Sequence, residues 1–432
     1  MARRGSKLGR FVRGDFVRHG LLVFASSMLV NFFNYGFHFV VSRKLGVVDY
    51  GDLFALFAAL GLMTVPVSAL TLIVVRFAAE FHALNDRERM ATLFSWVWRR
   101  TLIPAVIIAG VVVLSRSAIA HYLHLQDERS VIAWAAILAL SVVVPAIRGI
   151  LQGTQDFRKY AISTAIEGGG KAVLGIGFVL AGGGVLGALA GYACAIALSL
   201  AYTAIVVRRD VGSSRFGSPL NIDLRRLVVT SAGVTLATLA LTALGSLDGI
   251  LVKHYFNDSL AGLYGSVSLI GKILLFVIGF VPTILLPKVT AAVANRQNPI
   301  NLLLQGTVIS VALCGTGLAL LAYAPGSIVG AMVGPAFLAA VPLVFQYGLA
   351  MTLLGATGVL VAYKLGAHRF EFVPYLLLVA IAEFTAISIY HDTLLHVIHV
   401  LIVGNAVAMF VCSWRLSSTP SSHATPNIVV QA

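Results

Sequence analysis

Charge is what this sequence has least of. Only 11% of its 432 residues are Asp, Glu, Lys or Arg, and the acidic ones number 17. A water-soluble domain carries about a quarter of its residues as charge, so a soluble globular fold is excluded. Cysteine is nearly absent too. Cys194, Cys314 and Cys412 fall singly, with no CxxC or other metal-type spacing, which argues against disulfide or metal chemistry. His391, His396 and His399 lie near one another in sequence, but no coherent second ligand set accompanies them. Also missing are polar stretches long enough to hold a catalytic domain, an HExxH pair, and a nucleophile beside a base. A phosphate-binding loop fails at the one place that suggests it, because GxxxxGK[ST] would need Gly at Ala165 and Ser or Thr at Ala172. Neither a cofactor nor an enzymatic activity is expected. The first apolar run lacks a small-residue cleavage site, so it does not read as a cleaved signal peptide.

What is present is apolar sequence, 59% of the chain. Runs long enough to cross about 30 Å of hydrocarbon recur at 19–42, 51–79, 101–120, 131–151, 160–181, 185–207, 226–253, 260–287, 302–323, 340–363, 373–390 and 395–415. These runs are continuous rather than alternating, and each is too long for a barrel strand, so spanning helices are expected. The net charge of +14 has a sided distribution. Of the 31 Lys and Arg residues, 23 fall on the side of the N-terminus. Five (Arg43, Lys44, Arg116, Arg129, Lys253) fall on the other side, and three (Arg76, Lys171, Lys272) within spans. That asymmetry is the positive-inside pattern and puts both termini in the cytoplasm. The basic balance is thus an orientation signal, and nucleic acid is not an expected partner. DRERMATLFSWVWRR at 86–100 mixes charge with Trp96 and Trp98 and reads as an interfacial helix ahead of the third span.

A weak internal repeat organises the chain. DYGDLFALFAALGLM from 49 resembles LAGLYGSVSLIGKIL from 260, and GILQGTQDFRKYAIS from 149 resembles GVLVAYKLGAHRFEF from 358, at offsets of 209 to 211. Six spans per repeat make both halves enter the membrane in the same sense, related by an axis along its normal. The expected architecture is an all-α polytopic membrane protein. A six-helix lobe spans 1–210, a cytoplasmic linker 211–225, a second six-helix lobe 226–416 and a disordered tail 417–432.

Ionisable groups inside a bilayer cost about 2.5 to 3.5 kcal/mol each on insertion scales and are functional suspects by default. Glu167 and Lys171 sit four apart in AISTAIEGGGKAVLGIGFVL, on one helical face. They either neutralise each other in a packed interface or line a wet cavity, with Gly168 to Gly170 leaving room beside them. The expectation adopted is a compensated pair facing the cavity between the lobes. Lys272 lies mid-span in the eighth run, Asp248 toward the outer part of the seventh, and Glu383 centrally in the eleventh. Arg76 and Arg148 sit near span ends, where long side chains reach headgroups. Asn31, Asn34 and His38 put one polar face on the first span. Gly183, Gly187 and Gly191 make a smooth stripe for close helix contact. Lys272, Lys171, Arg76, Arg148, Asn31 and Asn34 are the candidates for holding an anionic substrate. Asp248, Glu167 and Glu383 are the candidates for coupling an ion.

RKLGVVDYGDLFAL from Arg43, RGILQGTQDFRKYAIS from Arg148, and DGILVKHYFNDSLAGLYGSVSLIGKILLF from Asp248 followed by LLPKV resemble the polysaccharide-biosynthesis flippases of the MOP superfamily. The likeness covers roughly residues 15 to 415 and rests on loose patterns. It implies twelve helices in two lobes around a central cavity in a bacterial inner membrane, moving a polyprenyl-pyrophosphate-linked oligosaccharide outward by alternating access. Implied partners are that substrate, membrane lipids and other polysaccharide-assembly proteins. On this resemblance Asp248 and Lys272 match the polar seventh and eighth spans and Arg76 the second. The additional C-terminal helices of lipid II flippases have no counterpart, which disfavours that substrate. Two further functions compete: a MATE-like cation-coupled exporter, favoured by acidic cavity residues, and a membrane polymerase or glycosyltransferase, which needs an external catalytic loop.

Overall fold

In the computed structural model, residues 5–211, 224–295 and 297–414 are described, and every regular element among them is helical. The chain runs through α1 (Gly5–Ala83), α2 (Arg87–Leu114), α3 (Arg116–Tyr122), α4 (Arg129–Gly153), α5 (Phe157–Phe178), a π turn (Val179–Gly183) and α6 (Gly184–Val211). It continues through α7 (Leu224–Leu244), α8 (Leu247–Tyr255), α9 (Asp258–Ile278), α10 (Phe280–Ala294), α11 (Ile300–Tyr323) and α12 (Pro325–Met332). A 3₁₀ turn (Pro335–Ala340), α13 (Val341–Gly366), α14 (Val373–Ile389) and α15 (Leu394–Ser413) complete it.

Nine segments of the described residues are long and apolar enough to cross a membrane, and Val373–Ile389 is a shorter apolar helix. Two of the nine, Met28–Ala83 and Phe157–Val211, have 56 and 55 residues. At 1.5 Å per residue each would exceed 80 Å, more than twice the hydrocarbon thickness, so each holds two crossings. Glycine marks both breaks. Gly46 has φ 74° and ψ −174° in α1, and Gly182 and Gly184 have φ 90° and 55° between α5 and α6. A side chain disfavours that backbone region. Counting those doubled segments and the shorter helix gives the twelve crossings read from the sequence. The proposed interfacial helix at 86–100 is not separate: α2 runs unbroken from Arg87 to Leu114, and Met90, Leu93, Val97 and Thr101 bury one face of it. Tertiary packing along that stripe overrides the charge-rich start.

Turns are built alike at two helix joints. Asn85 and Gln155 adopt positive φ (53° and 60°), and the following Asp86 and Asp156 cap α2 and α5 by accepting from the backbone N–H of Arg89 and Lys159. An amide residue in the left-handed region followed by Asp stops one helix and starts the next within four residues.

The chain groups into two compact units. Unit 1 comprises residues through Thr235 together with Gly249–Ser266 and Gly326–Ala340. Unit 2 comprises Leu236–Asp248, Val267–Pro325 and the chain from Val341 onward. Unit 1 has an extensive apolar core around Phe37, Leu53, Leu56, Ile137 and Leu189, in which the Trp134 indole N–H donates to the Leu56 carbonyl at 2.8 Å. A second core in this unit gathers Val74, Leu93, Val97, Ile147 and Ile150. Unit 2 packs Val281, Leu285, Val289, Leu303, Val359 and Tyr363 together.

Candidate functional site

Unit 1 carries a basic centre. The four-residue spacing of Glu167 and Lys171 predicts that they pair with each other; the structure gives each a different partner. Arg148, from α4, donates through Nη2 to Glu167 Oε2 at 2.6 Å and to Ser199 Oγ at 2.6 Å, and through Nε to Ser163 Oγ at 2.7 Å. Ser163, Ser199 and Thr203 close the network among themselves at 2.7 to 3.0 Å. The ion pair is mostly sheltered, with side chains 11% and 24% exposed. Lys171 instead reaches α1. Its ammonium donates to Asn34 Oδ1 at 2.6 Å and lies 4.7, 4.2 and 5.0 Å from the ring centroids of Phe37, Phe57 and Tyr192. Ring faces attract a desolvated cation by about 2 kcal/mol or more. Local spacing therefore lost to tertiary partners on both sides.

The glycines beside this centre have a different use from the one expected. A Cβ on Gly168 would meet Val30 at 3.0 Å, and one on Gly170 would meet the Ala195 Cβ at 2.9 Å. They bring α5 close to α1 and α6 and do not open space for a ligand. Gly191 likewise lies against the backbone at Leu174 and Gly175. Close approach positions the charges: Lys171 reaches Asn34 because nothing bulky separates α5 from α1.

Unit 2 carries an acidic centre. Asp248 is 1% exposed and accepts from the Tyr347 hydroxyl at 2.8 Å, while that hydroxyl is 2.8 Å from Ser268 Oγ. Asp248 interacts electrostatically with Lys272, which is half-buried on α9, and with Glu383 on α14. Glu383 is 3% exposed, and its Oε2 has no hydrogen-bond partner among the described residues. The same holds for both side-chain polar atoms of Asn405, which is fully buried on α15. The Glu383 carboxylate lies against Gly404, where any Cβ would collide with it. Leaving a buried polar group unsatisfied costs about 1 to 3 kcal/mol, more when it is charged.

The other candidates lie as follows. Arg76 presents an exposed side chain on α1 and makes no ion pair among the described residues. Asn31 is half-buried one turn before Asn34.

A third cluster, in unit 1, escaped the sequence reading. Lys253 on α8, 1% exposed, pairs with Asp52 on α1 at 2.6 Å and with Asp258 at the start of α9. Gln126 ties both acids, donating from its backbone N–H to Asp52 Oδ2 at 3.0 Å and from Nε2 to Asp258 Oδ2 at 2.7 Å. Nearby on α1, Arg43 donates to the carbonyls of Gly330, Ala331 and Met332 at 2.7 to 3.1 Å, satisfying the orphan acceptors at the end of α12. Gly51 and Gly262, which the internal repeat aligns, pack on one another here. The sequence marks Lys253 only as one charge on the less basic side. The signal that could have found it is the charged motif DYGD opening the second span, since Asp52 inside an apolar run needs a cation.

The family model for polysaccharide biosynthesis proteins matches residues 16–293. No curated protein matches the chain. Among solved structures, the chain is similar to a multidrug resistance MATE family transporter of the MOP superfamily in an inward-facing conformation. The TM-score is 0.72 at 16% identity, covering 91% of this chain and 96% of that one. It is similar to the lipid II flippase MurJ in an inward closed conformation, with TM-score 0.68 at 12% identity, covering 92% and 86%. A MOP superfamily transporter from Pyrococcus furiosus, for which reverse polarity of the binding pocket suggests a different function, matches with TM-score 0.61 at 17% identity, covering 92% and 93%.

Proposed function

The chain belongs to the polysaccharide biosynthesis protein family, and we propose that it is a flippase of the MOP superfamily for a polyprenyl-pyrophosphate-linked oligosaccharide. The observation that carries this reading is the sign of the charge inside unit 1. There two cations, Arg148 and Lys171, stand with a single carboxylate, Glu167, between spanning helices. A pyrophosphate cannot cross hydrocarbon unaided and needs cations in a sheltered polar site. Lys171, held by one amide oxygen and three rings, is the cation that exchanges most readily onto a substrate oxygen, because it gives up no carboxylate. Arg148 is the fixed element, held by Glu167 and by the hydroxyls of Ser163 and Ser199. The acidic centre of unit 2 takes the coupling role: Asp248 and Glu383 bind H⁺ or Na⁺. The Asp52–Lys253–Asp258 cluster, with Arg43, acts as a latch between α1 and the segments around α8, α9 and α12. It lies on the face that the charge distribution assigns to the outside of a bacterial inner membrane.

The competing reading, a cation-coupled exporter of small organic molecules, draws on the same acidic centre and on the MATE fold likeness. Reconstitution separates the two. Liposomes containing the protein and a fluorescent polyprenyl-pyrophosphate oligosaccharide should show movement of the glycan to the opposite leaflet. Lys171→Ala should slow it at least tenfold, and a polyprenyl glycoside without the pyrophosphate should not move. Transport of lipophilic cations with no movement of the pyrophosphate lipid would establish the exporter.

A further inference from the structure

At one end of unit 2, α13, α14 and α15 surround a cavity of about 400 Å³ that the transport reading does not use. Lys364 on α13 forms its floor, with a side chain only 2% exposed. An ammonium has three protons to donate. One goes to the Trp414 carbonyl at the end of α15, at 2.9 Å; the closest carboxylate oxygen, on Glu371, stands at 3.9 Å, beyond hydrogen-bond range. Holding a buried ammonium with one acceptor is costly. The start of α14 borders the same cavity through Phe372 and Tyr375; its Val373 N–H is bonded to the Phe370 carbonyl and Pro374 has none, so the feature that favours an anion here is the buried Lys364 ammonium.

The walls say what kind of anion. Tyr375, Phe410 and Trp414 line the cavity and are each about 60% exposed, and the Phe410 and Trp414 rings meet edge to face at 5.8 Å. These residues lie at or near the ends of apolar spanning helices, where Trp and Tyr mark the level of lipid headgroups. Glu371, 47% exposed on the rim, adds one negative charge beside the buried positive one. A group that puts a phosphate over Lys364 and an ammonium beside Glu371 answers both charges, while its acyl chains cover Phe410 and Val411.

We propose that this cavity binds a zwitterionic aminophospholipid of the phosphatidylethanolamine type, its phosphate on Lys364 and its primary amine on Glu371. Phosphatidylglycerol offers no cation to Glu371, and the quaternary head of phosphatidylcholine cannot donate a hydrogen bond to it. The site is apart from the basic centre and does not depend on what the protein transports.

Native mass spectrometry of the full chain, released from nanodiscs holding equimolar phosphatidylethanolamine, phosphatidylglycerol and phosphatidylcholine with identical acyl chains, tests it. The expected result is retention of phosphatidylethanolamine over either competitor by about fivefold, the factor that one half-exposed ion pair supplies. Glu371→Gln, at an exposed rim position that folding does not need, should bring that preference near parity. Lys364→Gln should lose phospholipid retention altogether. Preference for phosphatidylglycerol in the wild type, or an unchanged preference in Glu371→Gln, would overturn the proposal. Displacement of the lipid by millimolar inorganic phosphate would make the cavity a free-anion site and overturn it equally.

Discussion

The buried charges of unit 1 and unit 2 are handled in opposite ways. In unit 1, Arg148 is held by Glu167, Ser163 and Ser199, and Lys171 lies among Asn34 and three aromatic rings. In unit 2, Glu383 and Asn405 keep buried polar atoms that no described residue satisfies, and Glu383 shares its surroundings with Asp248. In one centre the charged groups have named side-chain partners; in the other, polar atoms of Glu383 and Asn405 have none among the described residues. Since a satisfied network rigidifies and an unsatisfied one stores free energy for a ligand to release, the first suits a fixed binding surface and the second a coupling site that fills and empties.

The comparison breaks most sharply at Arg148. Replacing it by Met strands Glu167 in a sheltered position. Loss of one partner from a buried pair costs about 3 to 5 kcal/mol, so Arg148→Met should unfold far earlier in denaturant or on heating in nanodiscs. Adding Glu167→Leu should restore most of that stability while leaving transport lost. A single Arg148→Met protein as stable as the wild type would mean that the network is not saturated after all.

Unit 2 should answer with the opposite sign. Glu383→Gln replaces a buried carboxyl group whose Oε2 no described residue hydrogen-bonds. Unfolding measurements should show a gain of about 1 to 2 kcal/mol, together with loss of any stabilisation that Na⁺ or protons give the wild type, which ligand linkage sets at about 2.7 kcal/mol for a hundredfold excess over Kd. A loss of stability in Glu383→Gln would place this carboxylate among the saturated ones.

The smallest effect is expected at Lys171. In Lys171→Met the ring contacts persist while the charge disappears, so stability should change by less than about 1.5 kcal/mol. A larger loss would move Lys171 from the substrate surface to the fold's own scaffolding.

The sequence carried the membrane-spanning architecture well and the charge pairing poorly, for one physical reason. Span number follows from run length against hydrocarbon thickness, a local property, and Gly46, Gly182 and Gly184 break the long helices between the runs where the polar or glycine-rich gaps fall. Partner choice is non-local. Glu167 finds Arg148 across α4 and α5, Lys171 finds Asn34 across 137 residues, and Lys253 finds Asp52 across the middle of the chain. Spacing within one helix says only which face a charge is on. It could not decide between a neighbour one turn away and a partner on another helix, and it hid the purpose of Gly168 and Gly170, which is helix contact. The helix expected at 86–100 is continuous with the span after it, and the stripe of Met90, Leu93 and Val97 that binds it to the core shows only at helical period.

The division of labour between the two centres is tested most directly by measuring, in proteoliposomes, how transport of a pyrophosphate-linked glycan responds to an imposed H⁺ or Na⁺ gradient in Lys171→Ala and in Glu383→Gln. Lys171→Ala should weaken glycan binding at least tenfold while the remaining transport still follows the gradient. Glu383→Gln should bind the glycan as the wild type does but no longer respond to the gradient. Equal loss of binding and of gradient response in both variants would contradict that division of labour.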